Sequence, residues 1–253
     1  PTLRAGQALD VREPNAGSYS ISPDGTELAF VGQSDRTGRR GNLDLYTVPV
    51  AGGEARNLTP TNEAGDTNPS YSPDGRWLAF TQQKIPTFYA DRARLLLLDR
   101  QGGGLRDLSG DWDRSAGGLH WRPDSKAIYG TIDDAATNRI WRFDLAAPGR
   151  PRAVTAASSF SGLALARGGG AKPAAVAIRQ SFAEPPTLVR LDLGSGAATA
   201  LSTFNDAALA AIRQGRFESV TYKGARDRDI QMWVVYPPDF DPAKKYPVFM
   251  LLH

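Results

Sequence analysis

The chain offers few groups able to do chemistry: two imidazoles, His120 and His253, no cysteine, and many serines and carboxylates. Acyl transfer through serine needs the hydroxyl on a sharp strand-to-helix turn, G-x-S-x-G, with a histidine to take its proton. No serine has glycine both two places before and two after it. Ser34 has Gly32 but Arg36, and Ser195 sits in Gly194-Ser195-Gly196 at the wrong spacing. His120 stands beside Trp121 in an alternating apolar stretch, which suits a packed imidazole better than a general base. No triad can be assembled, so this segment alone is expected to be inert. Without cysteine there is no disulfide, thiolate ligand or thiol nucleophile. Two histidines give no metal-ligand spacing and the Asp-Gly pairs lack the acidic run of a calcium loop, so neither metal nor cofactor is expected. Gly102-Gly103-Gly104 and Gly168-Gly169-Gly170 lack the Lys-Ser/Thr of a phosphate loop and read as hairpin turns.

Charge and hydropathy narrow the partners. Lys and Arg total 30 against 27 Asp and Glu, and adjacent basic residues occur only as the pairs Arg39-Arg40 and Lys244-Lys245. No nucleic-acid partner is expected from that. The longest apolar run, Ala207 to Ile212, is far short of the roughly 20 residues of a membrane-spanning helix. Apolar residues at 41% and charged residues at 23% are ordinary for a globular chain.

The elements that must position these groups are written as a repeat. Ser20-Ile21-Ser22-Pro23-Asp24-Gly25 returns as Ser70-Tyr71-Ser72-Pro73-Asp74-Gly75, and a worn copy runs from Leu119 through Pro123-Asp124-Ser125 to Tyr129. The prolines at 23, 73 and 123 set a period of 50. Proline fixes φ, aspartate bonds the local backbone and glycine accepts positive φ, so each copy is a tight turn between half-buried strands. Third strands follow at Leu43 to Val48, Leu95 to Leu98, Ile140 to Leu145 and Leu188 to Leu193. Short fourth strands follow at Ala55 to Thr59, Leu105 to Leu108, Arg152 to Thr155 and Thr199 to Leu201. In the fourth copy Leu163-Ala164-Leu165 and Val176-Ala177-Ile178 flank the glycine triplet. Four antiparallel strands per unit of this length make a β-propeller blade. The fold class is therefore all-β, an arc of four four-stranded blades over 1–216.

The remainder departs from this grammar. Phe217 to Tyr222 and Ile230 to Tyr236 read as a hairpin, Pro237 to Pro242 as a rigid connector, and Tyr246 to Leu252 as an apolar strand buried on both faces of an α/β sheet. Residues 217–253 are read as the start of a second domain, and the chain as a segment of a longer protein. The Ser-Pro-Asp-Gly blades, the segment Pro237 to Pro247 and the strand ending Leu-Leu-His resemble the prolyl oligopeptidase family of serine peptidases. In that family a propeller caps an α/β-hydrolase domain. Phe88-Tyr89-Ala90-Asp91-Arg92 and Gly110-Asp111-Trp112-Asp113-Arg114-Ser115 resemble the dipeptidyl-peptidase V group, with acylaminoacyl-peptidases next.

That resemblance implies a protein releasing dipeptides from peptide N-termini, its Ser-Asp-His triad beyond residue 253, with peptides as substrates and the missing blades and hydrolase domain as partners. His253 would start the loop whose backbone amides help bind the oxyanion. The longer loops, between second and third strands and between blades, carry Glu63, Asp66, Asp91, Asp111, Asp113, Asp133, Asp134 and Glu184. In the relatives, acidic propeller residues receive the substrate's ammonium, and Asp111 and Asp113 are the candidates here. The alternative is that they pair with Arg92 and Arg114 to tie blades together. The other readings of the whole are an acylaminoacyl-peptidase or oligopeptidase, or a non-catalytic envelope propeller binding a protein or glycan. The compartment implied is periplasmic or secreted.

Overall fold

A computed structural model describes residues 19–34, 42–166 and 174–251. The first sheet comprises β1 (Tyr19–Ile21), β2 (Glu27–Gln33), β3 (Leu43–Pro49) and β4 (Arg56–Asn57). The second comprises β5 (Asp66–Tyr71), β6 (Trp77–Gln82), β7 (Arg94–Asp99) and β8 (Leu105–Asp107). The third comprises β9 (His120–Trp121), β10 (Ala127–Asp134), β11 (Thr137–Asp144) and β12 (Arg152–Ala153). The fourth comprises β13 (Ser159–Leu165), β14 (Ala174–Ser181), β15 (Glu184–Asp192) and β16 (Ala198–Ala200). Each sheet is an antiparallel meander in chain order, the layout of a propeller blade.

The repeated turn works as its residues dictate. Asp24 Oδ1 accepts from Ser22 Oγ at 2.6 Å and from Thr26 N at 3.1 Å, and Gly25 takes φ +72°. Asp74 repeats this with Ser72 and Arg76. These bonds hold the Asp24 carboxyl down at about 2. In the worn copy Ser125 stands at the glycine position with φ +58°, and its hydroxyl accepts from Asp74 N of the preceding blade at 3.0 Å. The seams between blades recur with the repeat: Tyr71 N donates to Ser20 Oγ and Trp121 Nε1 to Ser70 O, each across 51 residues.

Burial follows from stacking blade on blade. Along β6 and β7, Leu78, Phe80 and Leu96 face the first blade, meeting Ala29, Val31 and Leu45. Trp77, Ala79, Leu95 and Leu97 face the third, meeting Ile128, Ile132 and Phe143. A blade packed on both faces needs unbroken apolar strands, which is why Leu95 to Leu98 has no polar alternation. Tyr129 and Ile140 point the other way, onto Phe160, Leu163 and Val189 of the fourth blade. The far face of that blade is uncovered among the described residues: Val176, Ile178 and Leu188 alternate with the buried Ala175, Ala177 and Val189.

Beyond the blades, a short helix α1 (Asp206–Ala210) forms in the run Ala207 to Ile212, a helix that no sustained periodicity had signalled. The hairpin expected next is present as β17 (Phe217–Lys223) and β18 (Asp229–Val235), a sheet of its own. The apolar strand expected after it is different. Residues 246–251 join no sheet among the described residues, and Val248 and Phe249 are 87% and 92% exposed. A strand of this kind exists only through the neighbours that complete its ladder and cover its faces. His253 and Gly168-Gly169-Gly170 lie outside the described residues, whereas Gly102-Gly103-Gly104 and Gly194-Ser195-Gly196 form the expected hairpin turns.

Candidate functional site

In a four-stranded meander the second-to-third and blade-to-blade connections lie at one end, and that end gathers the longer loops. Two of them are held by specific bonds and contacts. The first joins β6 to β7. Asp91 folds it back on itself: its Oδ2 accepts from Lys84 N at 2.6 Å and Ile85 N at 3.0 Å, with Arg94 alongside at 3.3 Å. Those donors draw the Asp91 carboxyl below the usual carboxylate range, against its burial. Gln83 Nε2 donates to Tyr89 O and Asp91 O, closing the strap from the other side.

The second loop, between β8 and β9, carries Asp111 and Asp113. Gly110 enters it at φ +53°, where a Cβ would lie 2.8 Å from Gly149 Cα, so only glycine fits between the blades there. Trp112 turns inward against Trp141 and Phe143, with ring centroids 4.9 and 5.4 Å away. An inward tryptophan leaves its neighbours facing out, and both Asp111 and Asp113 are exposed. Asp113 pairs with Arg114. The same guanidinium reaches Asp134 at 2.7 Å, and Asp134, itself buried, also holds Arg139 at 2.9 Å. Arg92 reaches Gly110 O at 3.0 Å. No ion pair to Asp111 occurs among the described residues.

The remaining acidic residues divide by burial. Glu63 and Asp133 are exposed, and Glu184 is clamped by Arg179 across the β14–β15 turn at 2.7 Å. Asp66 is fully buried at the start of β5, held by Gln82 and Asn62 amides with no cation against it among the described residues, and desolvation raises its pKa to about 6. His120 is half-buried on β9 opposite Tyr129, with its pKa lowered by burial, so it stands neutral at pH 7.

The terminal hairpin docks on this same end. Phe182, at the tip of the β14–β15 turn, meets Phe217 at 5.4 Å and Trp233 at 5.5 Å. Gln231 Nε2 donates to Ala135 O at the β10–β11 tip. The opposite end holds an open cleft between the first two blades, where Arg100 binds Glu27 at 3.2 Å and stacks over Tyr71, whose hydroxyl also donates to Glu27. These charges satisfy one another across the seam. Among the described residues no group of histidines and carboxylates could hold a metal ion, and no helix is long and apolar enough to cross a membrane. The loops expose acidic and aromatic side chains; the sequence marked Asp111 and Asp113 by type, but the inward Trp112 and the displayed Tyr89 depend on which way each side chain turns.

No family model matches the chain. It is 29% identical over 237 residues to the dipeptidyl-peptidase 5 of Porphyromonas gingivalis, covering 92% of this chain and 34% of that protein. Against the dipeptidyl-peptidase 5 of Porphyromonas endodontalis it is 30% identical over 232 residues, covering 90% and 33%. A probable dipeptidyl-peptidase 5 of Aspergillus clavatus matches at 28% over 255 residues, covering 94% and 34%. The chain spans about one third of the length of the curated relatives it matches. Among solved structures, an acylaminoacyl peptidase bound to a chloromethyl ketone superposes with TM-score 0.66 at 15% identity, covering 92% of this chain and 34% of that one. A puromycin hydrolase gives 0.60 at 17% identity, covering 90% and 35%. A putative TolB from Agrobacterium tumefaciens gives 0.53 at 19% identity, covering 73% and 64%. At these identities the likeness is one of fold.

Proposed function

The chain belongs to the prolyl oligopeptidase family, and from that premise we propose that it is the propeller segment and domain junction of a serine-type dipeptidyl peptidase. The observation that carries this reading is the match to dipeptidyl-peptidase 5 proteins of bacteria and fungi, which runs through the blades and the terminal hairpin alike. A non-catalytic envelope propeller gives no reason for that hairpin or for the connector after it. Acylaminoacyl peptidases share the fold, but the named sequence relatives do not favour that substrate.

The division of labour follows. Residues 1–216 form blades that admit flexible peptides and exclude folded proteins, while 217–253 open the hydrolase domain. The nucleophile, acid and histidine come from the rest of the protein, with His253 leading into the oxyanion loop. Asp111 and Asp113, exposed on a loop anchored by Trp112, accept the substrate's ammonium. A carboxylate at a fixed distance from the nucleophile measures the cut two residues in, because ammonium and scissile bond are then positioned together. Of the two, Asp111 is the stronger acceptor, since Arg114 already neutralises part of the charge on Asp113.

The deciding experiment uses the full-length protein and two kinds of chromogenic substrate, unblocked dipeptides and acetylated single residues. Release from the first and not the second is expected. Release only from the second, or from neither, overturns the reading.

A further inference from the structure

The candidate ammonium acceptors have an aromatic neighbour on an adjoining loop. Tyr89 is 94% exposed and Phe88 48%, with their rings 6.3 Å apart. The backbone that displays them is held by hydrogen bonds on both sides. Asp91 and Gln83 pin the strap at both of its limbs, as described above, so the rings are presented from a backbone ordered beforehand, and little ordering entropy is lost when something covers them. The strap is also tied to the acidic loop. Arg92 Nη2 bonds Gly110 O at 3.0 Å, Ala93 N bonds Ser115 Oγ at 3.1 Å, and Ala116 N bonds Ala93 O at 2.8 Å. The loops bearing the carboxylates and the exposed aromatic rings are therefore bonded to one another at the end of the second blade.

We infer that Tyr89, with Phe88 beside it, is a specificity-determining contact for the side chain of the substrate's first residue, favouring apolar residues there. The inference rests on the dipeptidyl-peptidase reading and on the ammonium being held at the Asp111 loop. In a peptide the ammonium and the first side chain leave the same Cα. Whatever anchors one delivers the other to its immediate surroundings. The strap that displays the rings adjoins the loop that carries these carboxylates, and a ring face rewards leucine or phenylalanine and offers glycine nothing.

The test uses the full-length protein and ligands that differ only in the first residue. Binding of the free dipeptides Leu-Ala and Gly-Ala is measured by calorimetry, and kcat/KM is measured for the matching chromogenic substrates. In Tyr89→Ala, Leu-Ala should bind about tenfold more weakly, the loss expected when roughly 1.4 kcal/mol of apolar contact is removed, while Gly-Ala is unchanged. Tyr89→Phe should keep the preference. An unaltered Leu/Gly ratio in Tyr89→Ala, an equal loss for both ligands, or no preference in the unmodified protein overturns the inference. If the protein releases no dipeptide yet the binding ratio collapses in Tyr89→Ala, the peptidase reading fails and the contact stands. Dipeptide release with an unaltered ratio is the converse.

Discussion

Asp111 and Asp113 differ in what surrounds them, and that difference is testable one residue at a time. Asp113 shares Arg114 with Asp134, whereas Asp111 projects from the same loop without an ion pair among the described residues. In the full-length enzyme Asp111→Ala should raise KM for unblocked dipeptide substrates about tenfold or more, as loss of a charge-assisted bond does. Asp113→Ala should do so less. Steady-state kinetics on both variants checks this, and unchanged constants for the pair would remove the ammonium-anchor role. Tyr129 makes the opposite kind of statement. Its side chain is fully buried, and its hydroxyl finds no partner among the described residues. A desolvated hydroxyl without a bond opposes folding, so Tyr129→Phe should leave the melting temperature unchanged or raise it.

At the level of elements, the start of β5 carries a titration that the turns do not share. Asp66 has a folded pKa of about 6, above the ordinary 3.8. A raised acid binds protons more readily when folded, so its contribution to stability is complete below about 3.8 and is lost as pH rises through 6. A gap of about two pH units corresponds to roughly 3 kcal/mol. Asp24, Asp74 and Asp91 act in the other direction, since their lowered values support the fold above the usual range and fail in acid. The wild-type profile thus mixes both signs, and Asp66→Asn separates them. Thermal melts from pH 4 to 7 should show wild type losing stability relative to Asp66→Asn as pH rises, with the difference levelling off above about 6. The strap between β6 and β7 depends similarly on one carboxylate. Asp91→Ala should free Lys84 and Ile85 amides, seen as faster hydrogen exchange confined to that loop.

Over the whole molecule, stacking decides what is exposed. The second and third blades are covered on both faces, while Val176, Ile178 and Leu188 lie open on the fourth. Open apolar faces and free sheet edges recruit partners. Residues 1–253 expressed alone should therefore associate, and light scattering should find species larger than the 27.2 kDa monomer. Charged substitutions at Val176 and Ile178 should reduce that association. A monodisperse monomer would contradict this account of the exposed face.

Much of this was legible before any coordinates. The turn Ser-Pro-Asp-Gly contains its own hydrogen bonds within five residues, so its recurrence at 23, 73 and 123 announces blades, and alternating apolar residues announce the strands between them. Local chemistry of that range is written in the order of residues. The seam partners were not legible, because Glu27, Tyr71 and Arg100 meet only when separate blades stack. Nor was the divergent fate of eight acidic residues, since burial, not residue type, makes Asp66 a weak acid, Asp134 an arginine clamp and Asp111 an exposed surface charge. The direction in which a side chain turns depends on what its neighbouring sheet already fills, and only the folded arrangement supplies that.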